Sequence, residues 1–348
     1  MKRILTKVVK IGSLKIGGGN PVAVQSMCNT DTRDVKKTVK QIKALAEVGC
    51  EIIRLAVTDQ AAALAIKKIK RQASLPIVAD IHFDYRLALA AADAGADKIR
   101  INPGNIGSEK KIKEVTRACR LHNIPIRVGV NIGSLNREIE AKYGRTAEAM
   151  AESALWEVNI LEKFNFQDIV ISLKASDVDR TVEAYRLISR QVDYPLHLGI
   201  TEAGTLKSGI IKSSIGLGLL LSEGIGDTIR VSLTADPEEE VRAAWEILKA
   251  LKLRSRGVIL ISCPTCGRTS IDIISLANKI EKMLEKIKKP LTVAVMGCSV
   301  NGPGEAKEAD IGLAAGKNQA VIFKKGAILK TVPLKRIFSE FSEELNKL

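Results

Sequence analysis

The sequence predicts a (β/α)₈ barrel of the TIM type followed by a small α/β domain. Three observations predict this architecture. Short runs rich in Val and Ile alternate with amphipathic helical stretches along most of the chain, which is the pattern of parallel βαβ units. The pattern restarts after the basic stretch "LKLRSRG", and the part beyond it carries a Cys-x-x-Cys motif. With 348 residues, the chain is long enough for one large domain and one small one.

The predicted barrel consists of strand–helix units between about Pro21 and Lys252. Parallel strands that are buried on both faces have nearly continuous apolar sequences. Each apolar run is followed by a turn and by a helical pattern such as "DVKKTVKQIKALAEVG". A barrel of this type needs eight such units. The strand runs are "PVAVQSM", "EIIRLAV", "PIVADIHF", "KIRINPG", "IRVGVNIG", "DIVISLKAS", "LHLGITEAG" and "TIRVSLTADP".

The segments on either side of these units have patterns of their own. Residues 1–20 predict a β-hairpin that turns at "IGSL" and closes the bottom of the barrel. After the last unit, "GVILIS" and "LTVAVMG" predict strands, and "TSIDIISLANKIEKMLEKI" predicts a helix between them. A hairpin in "QAVIFKKGAILKTV" turns at Lys325 and Gly326, and "LKRIFSEFSEELNKL" predicts a closing helix. We therefore expect residues 1–253 to form the barrel and residues 254–348 to form the small domain.

The composition limits the classes of protein that need to be considered. No run of about 18 apolar residues could span a bilayer, and no signal-peptide pattern follows the basic N-terminus. We therefore expect a cytoplasmic protein without a membrane partner. The net charge is +15, but aromatic residues make up only 3%. Because nucleic-acid binding needs aromatic residues among the basic ones for stacking, we expect no nucleic-acid partner and a small anionic substrate instead.

Polar side chains recur on one face of the predicted barrel strands, where residues i and i+2 point the same way. On the face that packs against helices, these side chains would be buried unpaired charges, which are costly. We therefore expect them to line the interior, whose carboxyl-terminal end carries the active site in barrels of this type. The pairs are Arg54 with Thr58, Asp80 with His82, Arg100 with Asn102, Arg127 with Asn131, Ser172 with Lys174, and Arg230 with Ser232.

An excess of positive charge in this cavity predicts an anion-binding site. Basic residues from five strands face only two acids, Asp80 and Glu202. Arginine forks and lysine point charges together favour phosphate. The segment "TEAG" adds Thr201 to the expected binding residues and supplies Glu202 as the acid placed for proton transfer. The basic residues are Arg54, Arg100, Arg127, Lys174 and Arg230.

Three cysteines of the small domain are spaced like ligands of one metal centre. Cys263 and Cys266 lie in "SCPTCGR", and Cys298 lies in "AVMGCSVNGPGE". In a reducing compartment, a clustered Cys-x-x-Cys indicates metal or redox chemistry. Cys50 and Cys119 lie at the amino-terminal ends of barrel strands, where we expect buried structural side chains. Iron–sulfur cubanes and structural zinc sites normally take four protein ligands, so a fourth ligand is needed.

Two residues are candidates for that fourth ligand. Cys28 follows the first barrel strand and could serve only if the small domain of the same or another chain docked over the barrel. Glu305 follows "NGPG", whose glycines and proline force a turn that can return the carboxylate to the metal. A carboxylate is more easily displaced from iron than a thiolate, which suits a reactive cluster. We favour a [4Fe–4S] cluster held by Cys263, Cys266, Cys298 and Glu305.

The motifs together resemble those of a known family. The segments "QSMCNTDTRDV", "RINPGNIG", "TEAG", "GIGDTIRVSLTADP", "SCPTCGR" and "MGCSVNGPGEA" are similar to those of the bacterial 4-hydroxy-3-methylbut-2-enyl diphosphate synthase family, the iron–sulfur enzymes of the non-mevalonate isoprenoid route. The resemblance covers essentially the whole chain. It implies a TIM-like barrel and a cluster domain similar to that of sulfite and nitrite reductases. The three cysteines and one glutamate that hold the family's cluster fall on Cys263, Cys266, Cys298 and Glu305.

The resemblance also implies an activity, which is the reductive ring opening of 2-C-methyl-D-erythritol 2,4-cyclodiphosphate with loss of water. Two electrons would arrive singly from ferredoxin or flavodoxin. The implied assembly is a head-to-tail homodimer in which one chain's cluster domain caps the other chain's barrel. Glu202 and Glu305 are the expected catalytic residues. The expected substrate-binding residues are Arg54, Asp80, His82, Arg100, Asn102, Arg127, Asn131, Lys174, Thr201, Arg230 and Ser232.

Other interpretations of the same residues lead to other functions. A zinc-stapled barrel that binds or hydrolyses phosphate esters would use the Cys-x-x-Cys as half of a zinc knuckle, but the small domain lacks a fourth Cys or His. A non-catalytic nucleic-acid binder is disfavoured by the shortage of aromatic residues. A radical-SAM enzyme would need three cysteines in one short loop. An anaerobic absorbance spectrum with an iron and sulfide assay distinguishes the iron–sulfur enzyme from the zinc protein.

Overall fold

The computed structural model describes residues 2–298 and 306–348. The chain divides into two compact units, one that ends at Arg254 and one that begins at Ser255. Glu305, the expected fourth cluster ligand, lies outside the described residues. Within the described ranges, no helix combines the length and the apolar character needed to cross a membrane.

A β-hairpin precedes the barrel, as the sequence predicts. Strands β1 (Val9–Ile11) and β2 (Leu14–Ile16) pair antiparallel around a turn at Gly12, whose φ is +57°. A Cβ at Gly12 would lie 2.7 Å from a carboxylate oxygen of Asp97, so the turn requires glycine. The hairpin packs its buried side chains against one end of the barrel, which confirms the expected plug. The apolar contacts join Val9, Ile11 and Ile16 to Ala23, Ile52, Val78 and Val170.

Parallel strands form the wall of the barrel. Their order in the sheet is β8-β7-β6-β5-β4-β3-β10-β9, and an isolated parallel bridge between Ile171 and Leu196 links the two edges. This eight-stranded arrangement, with helices between the strands, confirms the predicted fold class. The strands are β3 (Ala23–Met27), β4 (Ile52–Ala56), β5 (Ile77–Asp80), β6 (Lys98–Ile101), β7 (Ile126–Asn131), β8 (Ile169–Lys174), β9 (His197–Leu198) and β10 (Thr228–Ile229).

Helices cover the outside of this wall. Several begin after an aspartate whose carboxylate accepts a hydrogen bond from a backbone N–H of the first turn, which satisfies a donor that the helix leaves free. The helices of this unit are α1 (Val35–Glu47), α2 (Gln60–Lys70), α3 (Tyr85–Asp93), α4 (Pro103–Ile106), α5 (Glu109–Leu121), α6 (Arg137–Tyr143), α7 (Ala147–Lys163), α8 (Val178–Ser189), α9 (Leu206–Ser222) and α10 (Pro237–Ala250).

The interior of the barrel is filled in layers. Ile53 and Leu55 of β4 belong to the core between strands and helices, whereas Ile52 lies with the hairpin inside the barrel. The parallel register advances steadily around the barrel, so alternate strands contribute side chains at the same height. From the bottom upward, the layers are Ile52, Lys98, Val170 and Thr228, then Gln25, Val78, Arg127 and His197, then Arg54, Arg100, Ser172 and Arg230.

Strands β9 and β10 are shorter than their sequence runs predict. The run "LHLGITEAG" contributes only His197 and Leu198 to a strand. The chain leaves the ladder at Gly199, where a Cβ would lie 2.7 Å from the carbonyl oxygen of Arg230 and 2.9 Å from Nζ of Lys174. Glycine at this point lets the backbone pass close to two residues of the predicted site.

The second unit is a five-stranded sheet with the order β11-β12-β13-β14-β15. Its first three strands are parallel and the remainder are antiparallel. The predicted strands, helices and hairpin are present, with positive φ at Lys325 and Gly326 in the turn. The elements are β11 (Val258–Ser262), α11 (Ile273–Leu284), β12 (Leu291–Met296), β13 (Ile311–Ala315), β14 (Gln319–Lys324), β15 (Ala327–Pro333), a 3₁₀ turn (Leu334–Arg336) and α12 (Ile337–Leu345).

Strand β13 is an element that the sequence analysis missed. Its segment "IGLAA" contains only glycine, alanine and two larger apolar residues, and Gly and Ala are depleted from strands. Tertiary packing decides here, because Ile311 and Leu313 are buried beneath α11 and α12 while Gly312 lets the ring of Phe323 approach its backbone.

Candidate functional site

Asp80 contacts several charged side chains at the carboxyl ends of the barrel strands. It is 2% exposed and accepts hydrogen bonds from Nη2 of Arg54 at 2.6 Å and Nη1 of Arg100 at 3.3 Å. Burial by itself raises the pKa of Asp80, but Arg54, His82 and Arg100 outweigh burial and hold the pKa well below its usual value. Asp80 is therefore an anion that fixes two of the predicted phosphate-binding arginines.

His82 stands at the rim of the same cluster. Its Nε2 lies 3.1 Å from Oδ2 of Asp80, and both ring nitrogens lie 3.4 Å from Nη1 of Arg100. The side chain is 49% exposed. His82 is therefore the histidine that links the buried charges to solvent, as its place after strand β5 predicts.

Two further acids approach these arginines from the helices. Glu240 of α10 lies 3.4 Å from Arg230, and Glu157 of α7 acts on Arg100. Burial lowers the pKa of Arg100, and Asp80 and Glu157 act in the opposite direction. The expectation that only Asp80 and Glu202 face the basic residues is therefore wrong. It was based on strand alternation, which does not report on side chains that helices contribute.

The basic side chains inside the barrel nevertheless outnumber the acids that pair with them. Within the described chain, Nε and Nη1 of Arg127 and Nζ of Lys98 are buried without a hydrogen-bond partner. Burial is the main cause that lowers the pKa of both residues well below the ordinary values. Because a buried cation without a partner is unfavourable, this arrangement is suited to an anion that enters the cavity.

Lys174 and His197 lie together inside the barrel. Nζ of Lys174 is 3.4 Å from Nε2 of His197, and Nδ1 of His197 is 2.8 Å from Oγ1 of Thr228. The Tyr185 hydroxyl donates to the carbonyl oxygen of His197 at 2.5 Å. Burial lowers the pKa of both Lys174 and His197. A neutral imidazole can accept a hydrogen bond from the lysine N–H, so His197 supports a predicted substrate-binding residue from below.

The polar residues of the predicted site differ in their surroundings. Asn102 caps α4, where its side chain accepts from the Asn105 N–H at 3.3 Å and donates to Oγ of Ser134 at 3.1 Å. Its amide therefore shapes the loop after β6. The side chains that remain partly exposed at the carboxyl ends of their strands are Asn131, Thr201 and Ser232.

Glu202 is exposed and has a left-handed backbone with a φ of +51°. Non-glycine residues rarely adopt this conformation, and residues that do so concentrate at functional sites. The preceding residue, Thr201, is tied to the barrel by a 3.2 Å bond from its N–H to the carbonyl oxygen of Ala175. The exposed carboxylate is thus carried by a backbone that is held in place on one side.

The two cysteine motifs of the second unit meet at the ends of neighbouring parallel strands. Ser262 of β11 pairs with Val295 of β12, which places Cys263 beside the residues that lead to Cys298. The N–H of Gly297 donates to Sγ of Cys263 at 3.1 Å. The two motifs are far apart along the chain, but the strand register places Gly297, the residue before Cys298, in contact with Cys263.

Cys266 is exposed, whereas the cysteines of the barrel are buried. A backbone hydrogen bond from Arg268 is the main cause that lowers the pKa of Cys266, which favours the thiolate. Burial raises the pKa of Cys28, Cys50 and Cys119 to about 12, so these thiols keep their protons. The burial of Cys50 and Cys119 is as expected.

Three thiols of the second unit are candidates for holding a metal group. Among residues 2–298 and 306–348, no three His, Cys, Asp or Glu side chains meet around one metal ion. A four-iron cluster takes its protein ligands on separate irons, so its thiolates are spread around a larger group. Cys263, Cys266 and Cys298, with a backbone N–H directed at one sulfur, fit such a group.

Both units match the domains of one protein family. Residues 6–245 match the GcpE TIM-barrel domain, and residues 259–347 match the GcpE protein C-terminal domain. The chain belongs to the GcpE family. The first domain contains the cluster of arginines around Asp80, and the second contains the three cysteines. This membership confirms the resemblance that the sequence motifs indicate.

Curated relatives in the GcpE family are similar to this chain from end to end. A protein from Caldanaerobacter subterraneus is 62% identical over 347 residues, which cover 99% of this chain and 98% of the relative. A protein from Clostridium acetobutylicum is 58% identical and covers 100% of both chains. Both relatives are named 4-hydroxy-3-methylbut-2-en-1-yl diphosphate synthase (flavodoxin).

The barrel of this GcpE-family chain is also similar to more distant solved structures. Dihydropteroate synthase from Yersinia pestis superimposes with a TM-score of 0.52 at 11% identity, and covers 70% of this chain and 98% of its own. At that identity the likeness concerns the fold alone.

Sequence reasoning missed Lys98, Glu157 and Glu240 in the barrel site of this GcpE-family chain. Lys98 shares its strand face with Arg100, so the alternation that identified Arg100 also contains the signal for Lys98. Glu240 follows Glu238 and Glu239, and only the helical spacing to Ala244 and Leu248 marks it as the buried member of the three.

Proposed function

We infer that the chain catalyses the reductive ring opening and dehydration of 2-C-methyl-D-erythritol 2,4-cyclodiphosphate to (E)-4-hydroxy-3-methylbut-2-enyl diphosphate, a step of the non-mevalonate isoprenoid pathway. The names of the full-length relatives support this function. The structural observation that carries it is the excess of buried cations over acids at the barrel mouth and in the layers beneath it, which suits a diphosphate. The alternative of a zinc-stapled barrel acting on phosphate esters finds no support in these relatives.

In this proposal the basic side chains of the barrel bind the substrate. The guanidinium groups of Arg54 and Arg100 are already oriented by Asp80, so little freedom is lost when they bind a phosphate group. Arg127 contributes donors that no described protein group accepts. The proposed binding residues are Arg54, Asp80, His82, Arg100, Asn102, Arg127, Asn131, Lys174, Thr201, Arg230 and Ser232.

Glu202 is the proposed proton donor and acceptor. Loss of water requires a proton at the departing hydroxyl oxygen, and Glu202 is an exposed carboxylate in the segment that follows β9. Its side chain is exposed, on a backbone with a left-handed φ of +51°. A carboxyl group held in this way can deliver a proton to an oxygen of bound substrate.

We propose that Cys263, Cys266, Cys298 and Glu305 hold a [4Fe–4S] cluster. When bound, such a cluster supplies electrons one at a time, which the overall two-electron reduction needs. The lowered pKa of Cys266 and the N–H bond from Gly297 to Cys263 prepare two of these sulfurs to carry negative charge. We propose Glu305 as the displaceable ligand and as a catalytic residue.

The proposal includes partners and a location. The names of the relatives support flavodoxin as the electron donor, and ferredoxin is the alternative donor. We propose a head-to-tail homodimer, in which each barrel is capped by the partner's cluster domain. We also propose a cytoplasmic location, in keeping with six free thiols.

The test is anaerobic purification followed by two measurements. Iron and sulfide content should approach four of each per chain, with a brown absorbance spectrum. Reduced flavodoxin and the cyclodiphosphate should then give the linear diphosphate, detected by its phosphorus NMR signals. A colourless protein that holds one zinc, or a cluster-containing protein that leaves the cyclodiphosphate intact, would contradict the proposed function.

A further inference from the structure

Both carboxylate oxygens of Glu240 accept hydrogen bonds close to the barrel mouth. The residue lies in the first turn of α10 and is 5% exposed. Its Oε2 accepts from Oγ of Ser26 at 3.0 Å, and its Oε1 accepts from the N–H of Leu233 at 3.1 Å. The amino-terminal end of a helix also favours a negative charge. One carboxylate thus connects strand β3, the segment after β10 and helix α10.

The same carboxylate holds one edge of Arg230. Nε of Arg230 lies 3.4 Å from Oε2 of Glu240, and Nη2 lies 3.4 Å from Oε1. A guanidinium group has five N–H donors in a fixed plane, and this pairing occupies the edge formed by Nε and Nη2. The other edge keeps one donor of Nη2 and one of Nη1, whose second N–H is donated to a neighbouring sulfur. Nη1 lies 3.7 Å from Sδ of Met27, an interior side chain of β3.

We propose that Glu240 is a positioning residue, which clamps the outer edge of Arg230 so that its inner edge presents a fork to the substrate's phosphate. The inference rests on the proposed function, because it assigns this fork to the diphosphate. Without the clamp, the arginine would rotate among several side-chain conformations and lose orientation on binding. A neutral amide keeps the size of the side chain and can still accept the N–H of Leu233, but it removes the charge opposite Arg230.

The test compares Glu240→Gln with a matched control on the same helical turn. Glu239 is also in the first turn of α10, but its carboxylate pairs with Arg242. Cyclodiphosphate binding is measured by calorimetry on the cluster-containing enzyme without a reductant, so that no turnover occurs. We expect Glu240→Gln to weaken binding about tenfold and Glu239→Gln to leave it unchanged.

Kinetics separate positioning from a general loss of structure. Because a phosphate contact is made in both the ground state and the transition state, Glu240→Gln should raise KM while kcat falls less than about threefold. A double mutant provides the second criterion. In an Arg230→Lys background there is no fork to orient, so Glu240→Gln should weaken binding by less than about twofold further. A tenfold loss in both backgrounds would mean that Glu240 does not act through Arg230, and would overturn the proposal.

The remaining outcomes are also decisive. If Glu240→Gln fails to fold, Glu240→Asp serves as the second variant. Its shorter side chain keeps the negative charge but moves it away from Arg230. Wild-type affinity in Glu240→Asp overturns the proposal. Equal losses in the Glu240→Gln and Glu239→Gln proteins overturn it as well. If the wild-type protein neither binds nor converts the cyclodiphosphate, the proposed function itself fails. Wild-type turnover combined with unchanged affinity in Glu240→Gln refutes only the clamp.

Discussion

The backbone N–H of Gly297 donates a 3.1 Å hydrogen bond to Sγ of Cys263, across the ends of two neighbouring parallel strands. This bond links the two cysteine motifs before any cluster is considered. Cys298 follows Gly297 directly and is buried, whereas Cys266 is exposed on the loop beyond Cys263. The two cysteine motifs therefore lie at neighbouring strand ends, and we expect each cysteine to be needed to hold the proposed cluster.

Replacement of any one of these cysteines with alanine should abolish the cluster. We expect Cys263→Ala, Cys266→Ala and Cys298→Ala to lose most of their iron and their brown colour, since Cys thiolates anchor the irons. Cys50→Ala and Cys119→Ala are the controls, because both thiols are buried in the barrel. Iron and sulfide assays give the result. Loss of iron from Cys119→Ala would contradict this division of the cysteines.

The fourth ligand can be identified by comparing Glu305 with Cys28. Burial raises the pKa of Cys28 to about 12, so it is poorly suited to act as a thiolate ligand. Cys28→Ala should therefore keep four irons and much of the activity. Glu305→Ala should lose most activity and shed one iron readily, and Glu305→Cys should hold its cluster more firmly yet turn over more slowly. A three-iron Cys28→Ala protein, or full turnover by Glu305→Cys, would assign the ligand differently.

Gly129 should be required for substrate binding because of its closeness to Arg100. Nη2 of Arg100 donates to the carbonyl oxygen of Gly129 at 3.0 Å, and a Cβ at this position would overlap the guanidinium group. Gly129→Ala should displace Arg100 and weaken cyclodiphosphate binding about tenfold. Gly133 follows the same strand and has no atoms within 4 Å of an added Cβ, so Gly133→Ala is the control. Calorimetry that shows equal affinities for both variants would contradict this role.

Glu202 should show opposite effects on activity and stability. Glu202→Gln replaces the carboxyl group, which can transfer a proton, with an amide of the same shape that cannot. Turnover should therefore fall by about a hundredfold or more, while substrate affinity is retained. Glu202→Gly should be equally inactive but should stabilise the fold by up to about 1 kcal/mol, because its left-handed φ of +51° suits glycine. Denaturant unfolding measures the second effect. A destabilised Glu202→Gly protein would show that the backbone is not strained.

Lys98 should make the stability of the protein depend on pH. Burial, with Arg127 and Arg54, lowers its pKa well below the ordinary 10.5. The unfolded chain therefore binds one more proton between the folded pKa and 10.5, so stability rises with pH in this window. Lys98→Met should reduce this slope by up to about 1.4 kcal/mol per pH unit. Unfolding at several pH values, with the exposed Lys67→Met as control, tests this. Equal slopes in wild type and Lys98→Met would contradict it.

The barrel and most of its basic site were predictable because both faces of its strands are buried. In such strands a charged residue has only the interior to occupy, so Arg54, Arg100 and Arg127 were placed by alternation alone. The hairpin plug was predictable from its turn at Gly12. Lys98 follows the same rule, but a lysine at the first position of a strand resembles an ordinary solvent-exposed end.

The relationships between elements were not predictable from local patterns. Glu240 is one of three consecutive glutamates, and its contact with Arg230 depends on how α10 packs against β10. Strand β13 has poor strand propensity, so only its packing partners reveal it. The approach of Gly297 to Cys263 depends on the register of β11 and β12, which spacing along the chain does not encode.

The hairpin covers the bottom of the barrel with Val9, Ile11 and Ile16, so among the described residues the inner layers are shielded from solvent at that end. Substrate and product therefore share one passage, and each product molecule has to leave before the next substrate arrives. A multiply charged product departs against the attraction of the cations that line this passage. Because dissolved salt screens that attraction, moderate ionic strength should speed departure while it slows arrival. We expect kcat to rise and kcat/KM to fall between low and physiological salt, and a kcat that is independent of salt would show that departure does not limit turnover.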